Sequence, residues 1–139
     1  MMQSATPAYT PALGHAALTP FYDAAIALMT RERVWRAALL RQVAPRDGEL
    51  IADIGCGTGV FALMMKRAAP DTQIVGIDPD PSVLARAAQR AEASRCAIEF
   101  KQGFARDAAS LLNRPVDKIV SSLVFHQTPL AEKRAGLAA

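Results

Sequence analysis

LIADIGCGTG, residues 50–59, decides how this chain is read. Leu50, Ile51, Ala52 and Ile54 form an apolar run around one charge, Asp53, and the run breaks into glycines at 55, 57 and 59. A short apolar run bounded by glycines reads as a buried strand. Glycines at alternate positions remove Cβ atoms where the main chain turns sharply, and they let a ligand lie against its N–H groups. The stretch therefore predicts a strand that ends in a ligand loop.

The flanking periodicities place that loop in a fold. Val60, Phe61, Met64, Met65 and Ala68 share one face of a helix predicted over 60–69, which Pro70 and Asp71 close. A second strand is predicted over 73–77, followed by Asp78. Asp80 and Pro81 then supply an N-cap and a first-turn proline for a helix expected to bury Val83, Leu84, Ala87, Ala88 and Ala91. A weaker strand over 97–101, a short helix over 107–112, a strong fourth strand over 117–124 and a last helix opened by Thr128 and Pro129 follow. Upstream, Thr30 can cap a helix carrying Val34, Trp35, Ala38, Leu39 and Val43, which Pro45 and Gly48 end. Thr19 and Pro20 can cap an earlier one with Phe21, Tyr22, Ile26 and Leu28. Residues 1–18, rich in Ala, Thr and Pro, read as a loose arm, and 19–139 as one domain. Strands alternating with helices predict an α/β fold, a parallel sheet with helices on both faces. In such sheets ligands bind beyond the carboxyl ends of the strands, where the strand order reverses.

Composition excludes several classes. At 139 residues, with 51% hydrophobic and 21% charged residues, the chain can bury a core. Its 16 Lys and Arg against 13 Asp and Glu give only +3, spread along several segments, which argues against a nucleic-acid partner on charge grounds. Cys56 and Cys96 lie far apart without a CxxC or a histidine cluster, so no disulfide framework or zinc site is expected. A cytoplasmic location is the simplest reading. The N-terminus lacks the form of a secretory signal, and no run reaches membrane-spanning length.

Asp78 stands nineteen residues after Gly59 at the end of the second predicted strand. A carboxylate there can accept hydrogen bonds from both hydroxyls of a ribose. The plain alternatives are a solvated strand end for Asp78 and a ligand-free tight turn for the glycines. A dinucleotide GxGxxG would need a small residue at 60, where Val60 stands. The spacing is GxGxG, with Asp53 two residues ahead.

That pattern, Asp53, Gly55, Gly57 and Gly59, resembles motif I, DxGxGxG, of the class I S-adenosylmethionine-dependent methyltransferases. The resemblance covers residues 20–139 and is nearest in wording to the small-molecule enzymes of ubiquinone and menaquinone biosynthesis. It implies a Rossmann-like fold, S-adenosyl-L-methionine as cofactor and a small-molecule methyl acceptor. Residue by residue, it implies that backbone groups of Gly55, Cys56 and Gly57, in a loop completed by Thr58 and Gly59, hold the methionine part, with Asp53 orienting the ammonium. Asp78 would bind the ribose, Pro79 would border the adenine, Phe104 and Ala105 would flank it from the other side, and Ser121 would touch the ammonium. Tyr22 would close the site. The chain departs from the family at Phe104, where an acidic residue usually accepts from the adenine amino group; Asp107 lies a turn away from that register.

Methyl transfer from a sulfonium needs alignment above all. A base is needed only where the acceptor holds a proton. His126, after the fourth strand, is the candidate base, against a packing or hydrogen-bonding role. His15 is incidental, and Cys56 reads as a filler within the loop. Ser121, Ser122, Leu123 and Val124 do not match the Asn/Asp-Pro-Pro-aromatic ending of enzymes that methylate exocyclic amines or glutamine amides. Neither cysteine follows a proline, as attack on cytosine C5 would require, and no acidic cluster suggests a catalytic metal. The chain ends at Ala139, so it is expected to lack the C-terminal strands, leaving the fourth strand an edge prone to self-association. Two functions stay open at this point: a small-molecule methyltransferase or its cofactor-binding part, and a binding module without turnover. A nicotinamide oxidoreductase stands third.

Overall fold

The computed structural model of the chain describes residues 31–122 together with Ala25. The arm, the first helix with Tyr22, the chain from Leu123 with His126, and the last helix lie outside the described residues.

Within that range the chain runs α1 (Glu32–Val43), β1 (Leu50–Ile54), α2 (Val60–Ala68), β2 (Gln73–Asp78), α3 (Pro81–Ala93), β3 (Glu99–Gln102), a 3-10 turn (Ala105–Asp107), α4 (Ala108–Leu112) and β4 (Lys118–Val120). The four strands form one parallel sheet in the order β3-β2-β1-β4. Every residue of β1 is buried, as a strand between two neighbours and two helical layers requires. The order reverses at β1: β2 and β3 lie on one side, and β4 on the other. The crevice expected of such sheets therefore opens above the ends of β1 and β4.

Alternation along β1 divides the core. Leu50, Ala52 and Ile54 join Val75, Ile77, Ala108 and Leu112 on one face. Ile51, with Ile74 and Val120, packs beneath Phe61, Ala62 and Met65 of α2, and Leu39, Leu40 and Val43 of α1 close over the same cluster. Asp53, two residues from Ile51, is directed to that second face.

The observed elements differ from expectation where propensity lost to packing. Arg31 takes the N-cap position of α1 in a left-handed conformation, one residue past Thr30, and Val34 is 67% exposed. In α2, Ala62 and Leu63 are buried and Ala68 is exposed, because the covered face runs through Ala62, Met65 and Ala69 and Ala68 lies beside it. Ala88 of α3 is likewise exposed, and only Leu84, Ala87 and Ala91 are buried. β3 begins at Glu99, two residues late, where its pairing with Val75 begins. The N-cap at Asp80 is as expected: its Oδ1 accepts from the N–H groups of Ser82 at 2.8 Å and Val83 at 3.4 Å.

The amino ends of the strands are clamped. Asp117 accepts the Leu50 N–H at 2.8 Å through Oδ2, and its own N–H donates to the Leu50 carbonyl at 2.9 Å. Lys118 Nζ donates to Glu49 Oε2 at 2.7 Å and to the Ala44 carbonyl at 2.9 Å. These bonds anchor β4 and the end of α1 beside the start of β1, which leaves the opposite ends of the strands for the site.

Candidate functional site

The loop between β1 and α2 is laced to β2 rather than open. Gly55, Gly57 and Gly59 all have positive φ, 71°, 56° and 75°, a backbone path that only glycine follows without strain. The Ile77 carbonyl accepts from the Gly55 N–H at 2.7 Å and the Cys56 N–H at 3.1 Å, and Asp78 Oδ2 accepts from the Gly57 N–H at 3.0 Å. The amides expected to face a ligand at 55–57 are thus engaged within the chain. Thr58 is held from the other side: Arg90 Nη1 donates to its carbonyl at 2.8 Å and its Oγ1 at 2.7 Å.

The glycines serve different ends. A Cβ at Gly59 would stand 3.0 Å from the Ala87 Cβ and 3.2 Å from the Phe100 ring, so this position brings α3 against the loop. A Cβ at Gly57 would meet nothing within 4 Å, and here the bare backbone borders open space. Cys56 is a buried filler, as expected, and burial pushes its thiol pKa well up.

Two carboxylates stand beneath the loop. Asp78 is 8% exposed and braces two turns at once, with Oδ2 on Gly57 and Oδ1 accepting from the Asp80 N–H at 3.0 Å. Burial raises its pKa, and the two N–H donors oppose that rise. Asp53 has no such relief: it is 0% exposed, and both its oxygens lack a hydrogen-bond partner among the described residues. Burial pushes its pKa up to about 7, with the nearby Arg36 charge opposing and Asp78 adding to the shift. Ser121 Oγ, one residue beyond the strand partner of Asp53 on β4, is also buried without a partner. Two buried polar groups at the carboxyl ends of β1 and β4 therefore keep unused hydrogen-bonding capacity among the described residues.

The expected adenine side is less complete. Pro79 is half-buried beside β3, its carbonyl accepting from Gln102 Nε2 at 3.2 Å. Arg106 stacks 4.6 Å from the centroid of the Phe104 ring, and the Phe104 N–H donates to Asp107 Oδ2 at 3.0 Å. Asp107 is thus occupied in starting its own turn. Ala105 packs toward the Leu50–Ile54 face of the sheet. A groove of about 270 Å³ lined by Ile54, Ala105, Leu112, Val116 and Ile119 opens there, on the face of β1 away from Asp53. Its lining is apolar apart from Arg114, so the polar chemistry sits on the other side.

Arg90 and Arg36 are the residues that sequence reasoning missed. Arg90 lies one turn beyond Ala87 on α3, a spacing that could have placed it over the loop. No pattern in the sequence orients Arg36.

A family model for a methyltransferase domain matches residues 51–139. The chain belongs to that family. A demethylmenaquinone methyltransferase from Deinococcus radiodurans is 34% identical over 90 residues, covering 63% of this chain and 37% of the relative. A ribosomal RNA small subunit methyltransferase H from Thermomicrobium roseum is 34% identical over 112 residues, 77% of this chain and 34% of the relative. The chain thus spans about a third of the length of these curated relatives. Among solved structures, an S-adenosylmethionine-dependent methyltransferase from Thiobacillus denitrificans, in complex with S-adenosyl-L-homocysteine, superposes with a TM-score of 0.59 at 24% identity, covering 74% of this chain and 42% of that one. The methyltransferase-domain fold is thereby Rossmann-like, as expected. Among the described residues no helix is long and apolar enough to cross a membrane.

An acid whose pKa rises on folding, here from 3.8 to about 7, binds more protons folded than unfolded, so its penalty is absent below about pH 4 and complete above pH 7. Asp53→Asn is expected to raise the thermal midpoint of the ligand-free protein by roughly 5 °C at pH 8 and far less at pH 4.5. Equal shifts at the two pH values in a melting series would show that the buried charge is not responsible. In denaturant unfolding, Gly59→Ala is expected to cost about 3 kcal/mol, from strain plus overlap, and Gly57→Ala about 1 kcal/mol, from strain alone. Equal losses would contradict the distinct roles of the two glycines.

Proposed function

We propose that residues 19–139 form the S-adenosylmethionine-binding domain of a methyltransferase that acts on a small-molecule acceptor. The observation that carries this reading is Asp53, a buried carboxylate with no hydrogen-bond donor on either oxygen among the described residues. An unpaired buried acid is costly, and a cationic ligand group removes the cost. The ammonium at the methionine end of the cofactor is such a group.

The other residues fit the same ligand. Asp78 gives one lone pair of each oxygen to a backbone N–H and keeps further acceptor sites for the ribose hydroxyls. Gly57 keeps the loop surface free of side-chain bulk. Phe104 and Pro79 offer flat apolar surface to an adenine, without a carboxylate for its amino group. When bound, the cofactor supplies an activated methyl group: the acceptor atom bonds to its carbon as the carbon–sulfur bond breaks, and that electron pair stays on sulfur. The protein's share is alignment, and a proton on the acceptor is assigned to His126 on its position in the sequence. The names of quinone-modifying relatives, together with the modest and scattered charge, support a small molecule over RNA.

Titration calorimetry of the full chain with S-adenosylmethionine tests the reading. Wild type should bind, and Asp78→Ala should weaken binding roughly tenfold to a hundredfold. Absence of binding at millimolar cofactor would overturn it. Release of S-adenosylhomocysteine with a panel of phenols, quinols and amines separates an enzyme from a module that binds without turnover.

β4 has β1 as its only strand neighbour among the described residues, and Ile119 is 64% exposed on it. Pairing of two copies along this edge follows the logic of unprotected strands. Sedimentation should show concentration-dependent association, and a monomer at all concentrations would exclude it.

A further inference from the structure

The two halves of the glycine loop are held by different elements. Gly55, Cys56 and Gly57 hang on β2, through the Ile77 carbonyl and Asp78 Oδ2. Among the described residues Thr58 and Gly59 make no hydrogen bond to β2, and the Gly59 N–H is engaged by the loop's own turn, at the Cys56 carbonyl 3.0 Å away. What fixes Thr58 comes from α3. A single nitrogen, Arg90 Nη1, donates to the Thr58 carbonyl at 2.8 Å and to its Oγ1 at 2.7 Å, locking backbone and side chain together. Thr58 is 9% exposed, so these charge-assisted bonds run through covered surroundings, where they are stronger than in water.

α3 can serve as a brace because both of its ends are tied. Its N-cap Asp80 donates its N–H to Asp78 Oδ1 at 3.0 Å, and the other oxygen of Asp78 holds Gly57, the neighbour of Thr58. At the far end Ser94 Oγ accepts from Arg67 of α2 at 3.2 Å. Arg90 stands one turn after Ala87 on the same side of the helix, and Ala87 is the residue against which Gly59 closes. Asp78, α3, Arg90, Thr58 and Gly57 thus form a closed circuit around the loop. A Cβ at Gly57 would meet nothing within 4 Å, so the surface open to a ligand adjoins the residue that Arg90 holds.

We propose that Arg90 is a positioning residue for the cofactor: it acts through Thr58, without touching the ligand, and keeps the second half of the loop in register with Asp78. The proposal rests on the cofactor reading above and places a determinant of affinity on α3, 32 residues from Thr58. Without Arg90 the Thr58 segment is free to rotate, and a ligand has to order it on binding.

Calorimetry and amide hydrogen exchange on the full chain test it. Arg90→Gln should weaken S-adenosylmethionine about tenfold and Thr58→Val about threefold. Arg90→Lys should recover part of the loss, because one ammonium nitrogen can serve both acceptors as Nη1 does. The double variant should bind no more weakly than Arg90→Gln alone, since both changes act through one contact. In the ligand-free protein, Arg90→Gln should speed exchange at the Gly57 and Gly59 amides about tenfold and leave the amides of β1 and β2 at wild-type rates. Unchanged affinity in the single variants, or effects that multiply in the double variant, would overturn the proposal. Exchange speeded equally in loop and strands would also overturn it, because it would reduce Arg90 to a general support of the fold. Thr58→Val leaves α3 untouched, so wild-type affinity in that variant overturns the proposal even where Arg90→Gln does not fold. Failure of wild type to bind S-adenosylmethionine would instead reject the cofactor reading itself, and this proposal with it.

Discussion

β1 is the central constraint of this molecule. It is paired on both sides and covered on both faces, so every residue of it is buried and its middle three are fully enclosed. Four of its five residues are apolar and suit that position; the fifth is Asp53. A charged oxygen in such surroundings takes a donor, protonates or destabilises the fold. Here it has the charge of Arg36 without a hydrogen bond, and a pKa raised to about 7. The strand that organises the sheet therefore holds an acid that the described fold leaves unpaired, at the end where the strand order reverses.

The loop beyond β1 is built to keep that end in place. The Ile77 carbonyl receives two loop amides, Asp78 a third, and Arg90 holds Thr58. A glycine-rich segment left to itself would lose much entropy on ordering. Fixed from β2 below and α3 above, it is ordered before any ligand arrives, which lowers the entropic cost of binding. Asp78 shares in both tasks: its bonds to Gly57 and Asp80 shape the loop, and the same carboxylate is the candidate ribose acceptor.

What the sequence made legible was local. The β1 run, the alternate glycines, the Asp80–Pro81 cap and the Asp78 strand end were readable because turn chemistry and periodicity act over a few residues. Ala88 of α3 and Ala68 of α2 were misplaced because a small apolar residue carries little preference for burial, and only the neighbouring layer decides. The internal use of the loop amides was hidden for a related reason. Backbone N–H groups have no sequence identity, and their partners on β2 are more than twenty residues away. Arg36 was out of reach because it depends on how far α1 slides along the sheet, which the Lys118 clamp sets from the far end of the chain.

The unpaired acid also links stability to occupancy. A protein that buries a charge without a partner gives up stability in its empty state, and any cation that pairs with the charge only in the folded state restores it through mass action. The gain is confined to ligands whose positive group reaches Asp53. A nucleoside without the amino-acid end could touch Asp78 and the Phe104 side, yet would leave the buried acid unchanged. Discrimination by that missing contact is strong, because the unsatisfied group stays in the site as a penalty. The same arrangement disfavours a dinucleotide, whose phosphates would bring negative charge toward two buried carboxylates.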